Sequence, residues 1–299
     1  MKYINFNGDK ISKLSLGTVQ FGLDYGIANN SGKPSQKSVN KIVNYLYNNG
    51  LNCFDTAQAY GNSEEVIGPA LKTKDDIYLI SKLKSDTFTS NAIENVNKSL
   101  ENLKVDSLYA LLLHDSGLLY NWKNEYSAFV DILINSKKIK YFGVSIYSSN
   151  DFMLALENEK IQFIQIPFNL FDQRALKENW FQKAKECGKI IFVRSIFLQG
   201  LLLMDKDSIP KNLENSRKYL EKLDFYCLKH NISKNELALS FVDTIAKDSL
   251  LLFGCDNLIQ AEENLKNYSS LKALNEDDIL EISSMFLDVD ENIYNPTKW

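Results

Sequence analysis

"LNCFDTAQAYGNSEEVIG", residues 51–68, reads as one strand–loop–helix unit. Residues 51–54 form a short, nearly continuous apolar run, as expected for a parallel strand covered on both faces. Asp55 follows the run, and Tyr60 sits in a loop of small residues. Asn62 and Glu65 have the spacing of a capping box that opens a helix. The unit then recurs along the chain. Apolar runs start near Leu14, Leu51, Ile77, Leu108, Ile139, Ile161, Ile190 and Leu250. Helical patterns lie between them: Val39, Ile42, Val43, Leu46 and Tyr47, with Gly50 as the stop; then Ile93, Val96, Leu100 and Leu103; then Leu237, Leu239, Phe241, Val242 and Ile245. Eight βα units in 299 residues predict an α/β fold, a (β/α)8 TIM barrel forming a single domain over residues 1–299. A doubly wound open sheet is the alternative. A hairpin at residues 3–13 would plug the barrel bottom, and extra helices near 215–230 and 277–287 would decorate it.

Composition narrows the function. Hydrophobic residues make up 44% and charged residues 24%, which excludes wholesale disorder. A net charge of -4 offers no electrostatic footprint for nucleic acid or an anionic membrane. The start lacks the apolar core of about 7–15 residues that a signal peptide needs. No apolar run approaches the ~20 residues of a membrane span. The four cysteines (Cys53, Cys187, Cys227, Cys255) are scattered without a C-x-x-C pair and read as reduced thiols. The expectation is a cytoplasmic protein with a small-molecule partner, no nucleic acid and no membrane; oligomeric state does not follow. With only two histidines, far apart, no metal site is expected. His230, at the end of a helical pattern, reads as a cap or dipole residue.

Barrel active sites are built at the C-terminal ends of the strands. The residues there are Thr18-Val19, Asp55, Lys82, His114, Ser145, Gln165, Arg194-Ser195 and Gly254-Cys255. Four side chains on this rim make a specific device. A tyrosine titrates near ~10, and a lysine ammonium against the Tyr60 phenol is expected to lower that value. Lys82, partly buried, needs a counter-charge, which Asp55 supplies. A neutral His114 can donate a hydrogen bond to a substrate oxygen. Together they would polarise a carbonyl and protonate its oxygen as a hydride reaches carbon. Other motifs fail. "GTVQFGLDYG" is neither a dinucleotide fingerprint nor a P-loop, and "GVSIY" lacks the second glycine of a nucleophile elbow.

Eight ordered blocks then carry a family resemblance: "LGTVQFG" (16–22), "FDTAQAYGNSEEVIG" (54–68), "ISKLK" (80–84), "LLLHDS" (111–116), "GVSIYS" (143–148), "IQIPFNLFDQR" (164–174), "RSIFLQGLLL" (194–203) and "LLFGCDNLIQAEENL" (251–265). They resemble the aldo-keto reductases over nearly the whole chain. That resemblance implies an NAD(P)-dependent oxidoreductase on a (β/α)8 barrel, with Asp55, Tyr60, Lys82 and His114 catalytic. The implied cofactor is NADP, with NAD possible. Thr18 and Val19 join the implied cofactor set. Ser145 and Gln165 would hold the carboxamide, with Ile146 where the family has an asparagine. Ser195, Phe197, Gln199 and Gly200 resemble the pyrophosphate loop. Arg194 stands where many members stack an aromatic ring on the nicotinamide. Gly254, Cys255, Asp256, Gln260, Glu263 and Asn264 match the adenosine block, with Gly254 and Gln260 in the places of basic residues that some members use for a 2′-phosphate. The implied substrate is an aldehyde or ketone. Residues 201–212 mix Lys, Asp and Ser with Leu and Met, which is compatible with a sugar or nucleotide-sugar carbonyl. The alternative is a weakly active scaffold or regulatory subunit similar to the potassium-channel β-subunits; the complete set of four favours the enzyme.

Overall fold

Strands β1 (Tyr3–Phe6) and β2 (Asp9–Ser12) pair antiparallel, from Tyr3–Ser12 to Phe6–Asp9, as the expected hairpin. The structure, a computed structural model, describes residues 1–29 and 32–299. Eight further strands follow: β3 (Leu14–Gly17), β4 (Cys53–Asp55), β5 (Tyr78–Leu83), β6 (Leu108–Leu113), β7 (Ile139–Ser145), β8 (Phe163–Pro167), β9 (Ile190–Arg194) and β10 (Leu250–Phe253). All pair in parallel, and β10 returns to β3 through Leu251–Leu14, so the sheet closes into a barrel. Closure rules out the open sheet. β4 and β8 begin two residues after the starts of the apolar runs that announce them; Leu51 and Ile161 are buried leads into the strands.

The helices follow the apolar spacing. Gln36–Asn48 buries Val39, Ile42, Val43 and Leu46, and the Ser35 hydroxyl caps its first turn. Lys234–Ile245 opens with a Ser233–Glu236 capping box. Ser85–Leu103 starts earlier than its periodicity predicts and is interrupted at Asn91. The two extra helices are Arg217–His230 and Glu276–Met285. His230 ends the first of them and stacks on Tyr226 at 4.2 Å.

One local expectation is corrected. Asn62 is the N-cap of Ser63–Leu71, but its side chain makes no capping bond. Its backbone (φ -98, ψ 22) departs from the extended conformation in which a cap side chain reaches the first turn. Glu65 is exposed, so no capping box forms.

The barrel floor is apolar. Cys53, Ile80, Phe163, Ile190, Phe192 and Leu250 meet Ile11 and Phe6 of the hairpin there, with the Phe6 ring 5.5 Å from Phe163. Each such large side chain contributes roughly 1.5–3 kcal/mol by leaving water. The other end is polar, and strand register sets its level. Gly17 pairs with Asp55, Asp55 with Ile80, Lys82 with Leu112, Ser145 with Gln165, and Pro167 with Arg194.

Candidate active site

Asp55 ends β4 and Lys82 is the penultimate residue of β5, both with fully buried side chains. The Lys82 ammonium donates to Asp55 Oδ2 at 2.5 Å, to the Thr56 carbonyl at 2.8 Å and towards the Tyr60 hydroxyl at 3.5 Å. Its three protons therefore meet three acceptors. Gln165 Nε2 donates to Asp55 Oδ1 at 3.1 Å. Burial pushes the Asp55 carboxyl up and the Lys82 ammonium down, and each opposes the other's shift.

Tyr60 reaches this pair because its loop is pinned by glycines. A Cβ on Gly22 would lie 1.7 Å from the Tyr60 carbonyl oxygen. Gly61, at φ 58, turns against Gly22. Thr18 supports the same corner. Its hydroxyl donates to the Asp55 carbonyl at 3.0 Å, and its oxygen lies 2.7 Å from the Ser63 hydroxyl.

The phenol does not behave as its neighbours alone suggest. Burial holds the Tyr60 pKa well above the usual tyrosine range; Asp55 and Tyr147 push the same way, and Arg194 opposes. The expected lowering by Lys82 is thus corrected. The ammonium is so close to Asp55 that the phenol faces a compensated pair instead of a bare cation. Tyr60 keeps its proton.

His114 follows β6, with its ring 5.3 Å from that of Tyr60 at 81°. Burial holds its pKa down to about 3, helped by the charges of Lys82 and Arg194. The imidazole is neutral, as expected, and Nδ1 is buried with no partner among the described residues. Because the folded value lies below the ordinary value near ~6.5, the unfolded chain binds the extra proton first. The stabilisation is complete above that value and is lost as pH falls towards about 3. His114→Gln should therefore lose up to one proton of acid sensitivity between pH ~4 and ~6. Urea unfolding across that range checks it, and equal slopes for the two proteins would contradict it.

Tyr60 and His114 open onto a cavity of about 540 Å³. Val19, Ser145, Gln165, Arg194, Ser195, Phe197, Gln199, Gly200, Gly254, Asp256, Gln260, Glu263 and Asn264 all line it. Thr18 and Cys255 do not; both are buried behind the wall. Asp55 and Lys82 also lie behind it, with the Lys82 ammonium 3.5 Å from the Tyr60 hydroxyl. Leu198, Gln199 and Gly200 are consecutive left-handed residues (φ 49, 54 and 95). A Cβ on Gly200 would lie 2.6 Å from Ala28 Cβ, so the loops after β3 and β9 meet over the cavity.

The ends of the cavity differ in charge. Asp256 and Glu263 line one end, where Asp256 Oδ1 is buried without a partner among the described residues. Asn264 accepts from Asn235 at 2.9 Å. At the other end Arg194 donates to the Ile146 carbonyl at 3.0 Å and lies over the Tyr147 ring at 4.0 Å. Ile146 itself is buried, so its backbone faces the arginine where an asparagine side chain was absent. Sequence reasoning missed Gln20, Tyr25, Tyr147 and Asn235, which also line the cavity. Tyr25 lies between Gly22 and Gly26 shortly after β3, the first barrel strand, a placement that points to the rim. Asn235 had no local signal, because helix packing delivers it.

Among the described residues no cluster suits a metal ion, and no helix is long and apolar enough to cross a membrane. All four cysteines are free.

Fold and site define a (β/α)8 barrel with Asp55, Lys82, Tyr60 and His114 gathered at its C-terminal rim. A model of the aldo/keto reductase family matches residues 13–286, and the chain belongs to that family. It is an oxidoreductase family that reduces carbonyls with NAD(P)H. The oxidoreductase YqkF of Bacillus subtilis, itself uncharacterised, is 25% identical over 92% of each chain. Among solved structures, the holo form of aldo-keto reductase AKR11C1 from Bacillus halodurans matches with a TM-score of 0.79 at 20% identity, covering 99% of this chain and 98% of that one. An aldo/keto reductase from Klebsiella pneumoniae, in complex with NADP and acetate, matches with a TM-score of 0.73 at 19% identity over 95% of each chain.

Proposed function

We propose that this chain is an NAD(P)H-dependent reductase of an aldehyde or ketone on a polar, sugar-like skeleton, with Tyr60 as the proton donor. The observation that carries this reading is the buried Asp55–Lys82 pair with its ammonium 3.5 Å from the Tyr60 hydroxyl, at the wall of the cavity. The substrate oxygen would lie between Tyr60 and neutral His114, which orients it. A nicotinamide held in the cavity would supply the hydride. As the carbonyl oxygen gains negative charge, the protonated Tyr60 gives up its proton, and the phenolate left behind is held by Lys82. Asp55 keeps Lys82 charged and aimed. The complete set favours this over a non-catalytic scaffold, since a scaffold needs no buried ion pair behind a phenol.

The cavity's donor set fits the cofactor. Ser145 and the amide oxygen of Gln165, whose nitrogen is engaged by Asp55, would take the carboxamide. Ser195 and the left-handed turn at 198–200 would take the pyrophosphate, and Asp256, Gln260, Glu263 and Asn264 the adenosine. No lysine or arginine lines that adenosine end among the described residues. A 2′-phosphate normally has a cationic partner, whereas a carboxylate suits a ribose hydroxyl. NADPH should be used, with only a narrow advantage over NADH. Coenzyme oxidation against a panel of aldehydes, ketoses and keto-sugars tests the reading. Turnover with both coenzymes, within about a hundredfold in kcat/KM, is expected, since one charge-assisted contact contributes roughly 1.5–3 kcal/mol. No turnover of any carbonyl would refute the reductase; a preference beyond about a thousandfold would reveal a cation elsewhere.

A further inference from the structure

Arg194 differs from the other two arginines of the chain. Arg174 holds Asp172 at 2.7 Å, and Arg217 holds Glu214 at 2.6 Å. Arg194 has no carboxylate within ion-pair distance among the described residues. It is held by neutral groups: the Ile146 carbonyl at 3.0 Å, the Ser195 hydroxyl at 3.3 Å, and the Tyr147 ring under its guanidinium. These contacts fix the group against the wall and leave further N–H donors for the cavity it lines. It is also the cavity's only cation among the described lining residues.

The surroundings leave this charge uncompensated. Asp55, which feels Arg194 electrostatically, is fully buried and engaged by Lys82 and Gln165. Lys82 is already ion-paired with Asp55. His114 and Tyr60 are neutral; Arg194 helps hold His114 so, whereas at Tyr60 burial prevails against it. The cavity's carboxylates, Asp256 and Glu263, lie at the end assigned to the adenosine. The reacting end therefore carries one rigid positive charge and no negative one. A partly desolvated cation is strongly favoured by an anion that can meet it with hydrogen bonds.

We infer that Arg194 is a substrate-recognition residue and that the carbonyl substrate carries a carboxylate near its reacting carbon. The inference rests on the reductase reading above. A carboxylate matches the single guanidinium in charge and in planar shape. A phosphate would bring about two negative charges to one cation, so an oxo acid or a sugar acid is the class that fits.

The experiment compares matched carbonyls with the NADPH-loaded enzyme: succinic semialdehyde against its methyl ester, and glyoxylate against methyl glyoxylate. Wild type should favour the free acid in at least one pair by roughly 10–100-fold in kcat/KM. Arg194→Gln should bring that ratio to within about threefold of unity, and Arg194→Lys should keep part of it. The ratio is taken within one holoenzyme, so an effect of the substitution on cofactor binding cancels. A ratio of one or below for both pairs in wild type, or an unchanged ratio in Arg194→Gln, overturns the inference. Calorimetric titration of the NADPH-loaded protein with succinamate and with succinamide needs no turnover. At least about tenfold tighter binding of the acid is expected in wild type, and equal binding of acid and amide overturns the inference. If no carbonyl is reduced while this binding difference stands and disappears in Arg194→Gln, the reductase reading fails and the anion site survives.

Discussion

Tyr60→Phe is expected to lose roughly 10²–10⁴-fold in turnover, the usual contribution of a positioned general acid. The substitution removes one oxygen and leaves the ring, which packs edge-on against His114 at 5.3 Å. The loop should keep its course, because Gly22 and Gly61 fix it through backbone contacts and not through the hydroxyl. Cofactor affinity should therefore change little. A loss in kcat with an unchanged coenzyme Kd separates proton donation from packing. The raised pKa of Tyr60 supports the assignment as an acid. A phenol that holds its proton across the physiological range is charged with it whenever substrate arrives. Under the proposed reading it would release the proton only as the substrate oxygen becomes strongly basic, with the Lys82 ammonium 3.5 Å away to meet the new negative charge. Wild-type turnover in Tyr60→Phe on a good substrate would remove Tyr60 from the mechanism.

The barrel was legible because each strand is a short apolar run and each helix has a narrow apolar face. Those patterns report burial, and burial is what the barrel imposes on both. The rim was legible for the same reason. A charged or polar residue directly after an apolar run, as at Asp55, Lys82 and His114, lies where the strand meets the open end. What escaped the sequence depends on contacts between distant segments. Gln20 lies on the short helix Val19–Gly22 and Tyr147 on the loop after β7, both placed by neighbouring segments, and Asn235 arrives on a helix packed beside Leu258–Ser269. The Asn62 cap failed because the Tyr60 turn, crowded by Gly22, sets the backbone angle at that helix entry. The Tyr60 pKa was misjudged because composition gives the neighbours but not their distances. Asp55 at 2.5 Å from Lys82 cancels the charge that the phenol was expected to feel.

Lys82→Met should lose turnover in the same way and, unlike Tyr60→Phe, should lose stability as well. Lys82 and Asp55 have no solvent exposure in their side chains. Removing the ammonium leaves a buried carboxylate held mainly by Gln165, and breaking a buried pair in this way costs about 3–5 kcal/mol. The sign with pH follows from Asp55. Burial already raises its carboxyl above the ordinary value, and losing Lys82 removes the main force opposing that rise. A group whose folded pKa is raised gives stability that is present below the unfolded value, ~3.9, and is lost as pH rises through the folded one. The deficit of Lys82→Met relative to wild type should therefore be larger at pH ~8 than at pH ~5, as read by urea unfolding. The Asp55→Asn/Lys82→Met double variant removes both charges and should recover most of the stability, since a neutral replacement of a buried pair is often no worse than the pair. It should not recover turnover, because the Tyr60 phenolate then lacks the ammonium that lies 3.5 Å from its oxygen. Full stability of Lys82→Met at pH ~8 would show that the pair is not sealed from water. Wild-type turnover in the stable double variant would show that the phenol does not rely on Lys82, and the proton-transfer assignment would have to move away from this pair.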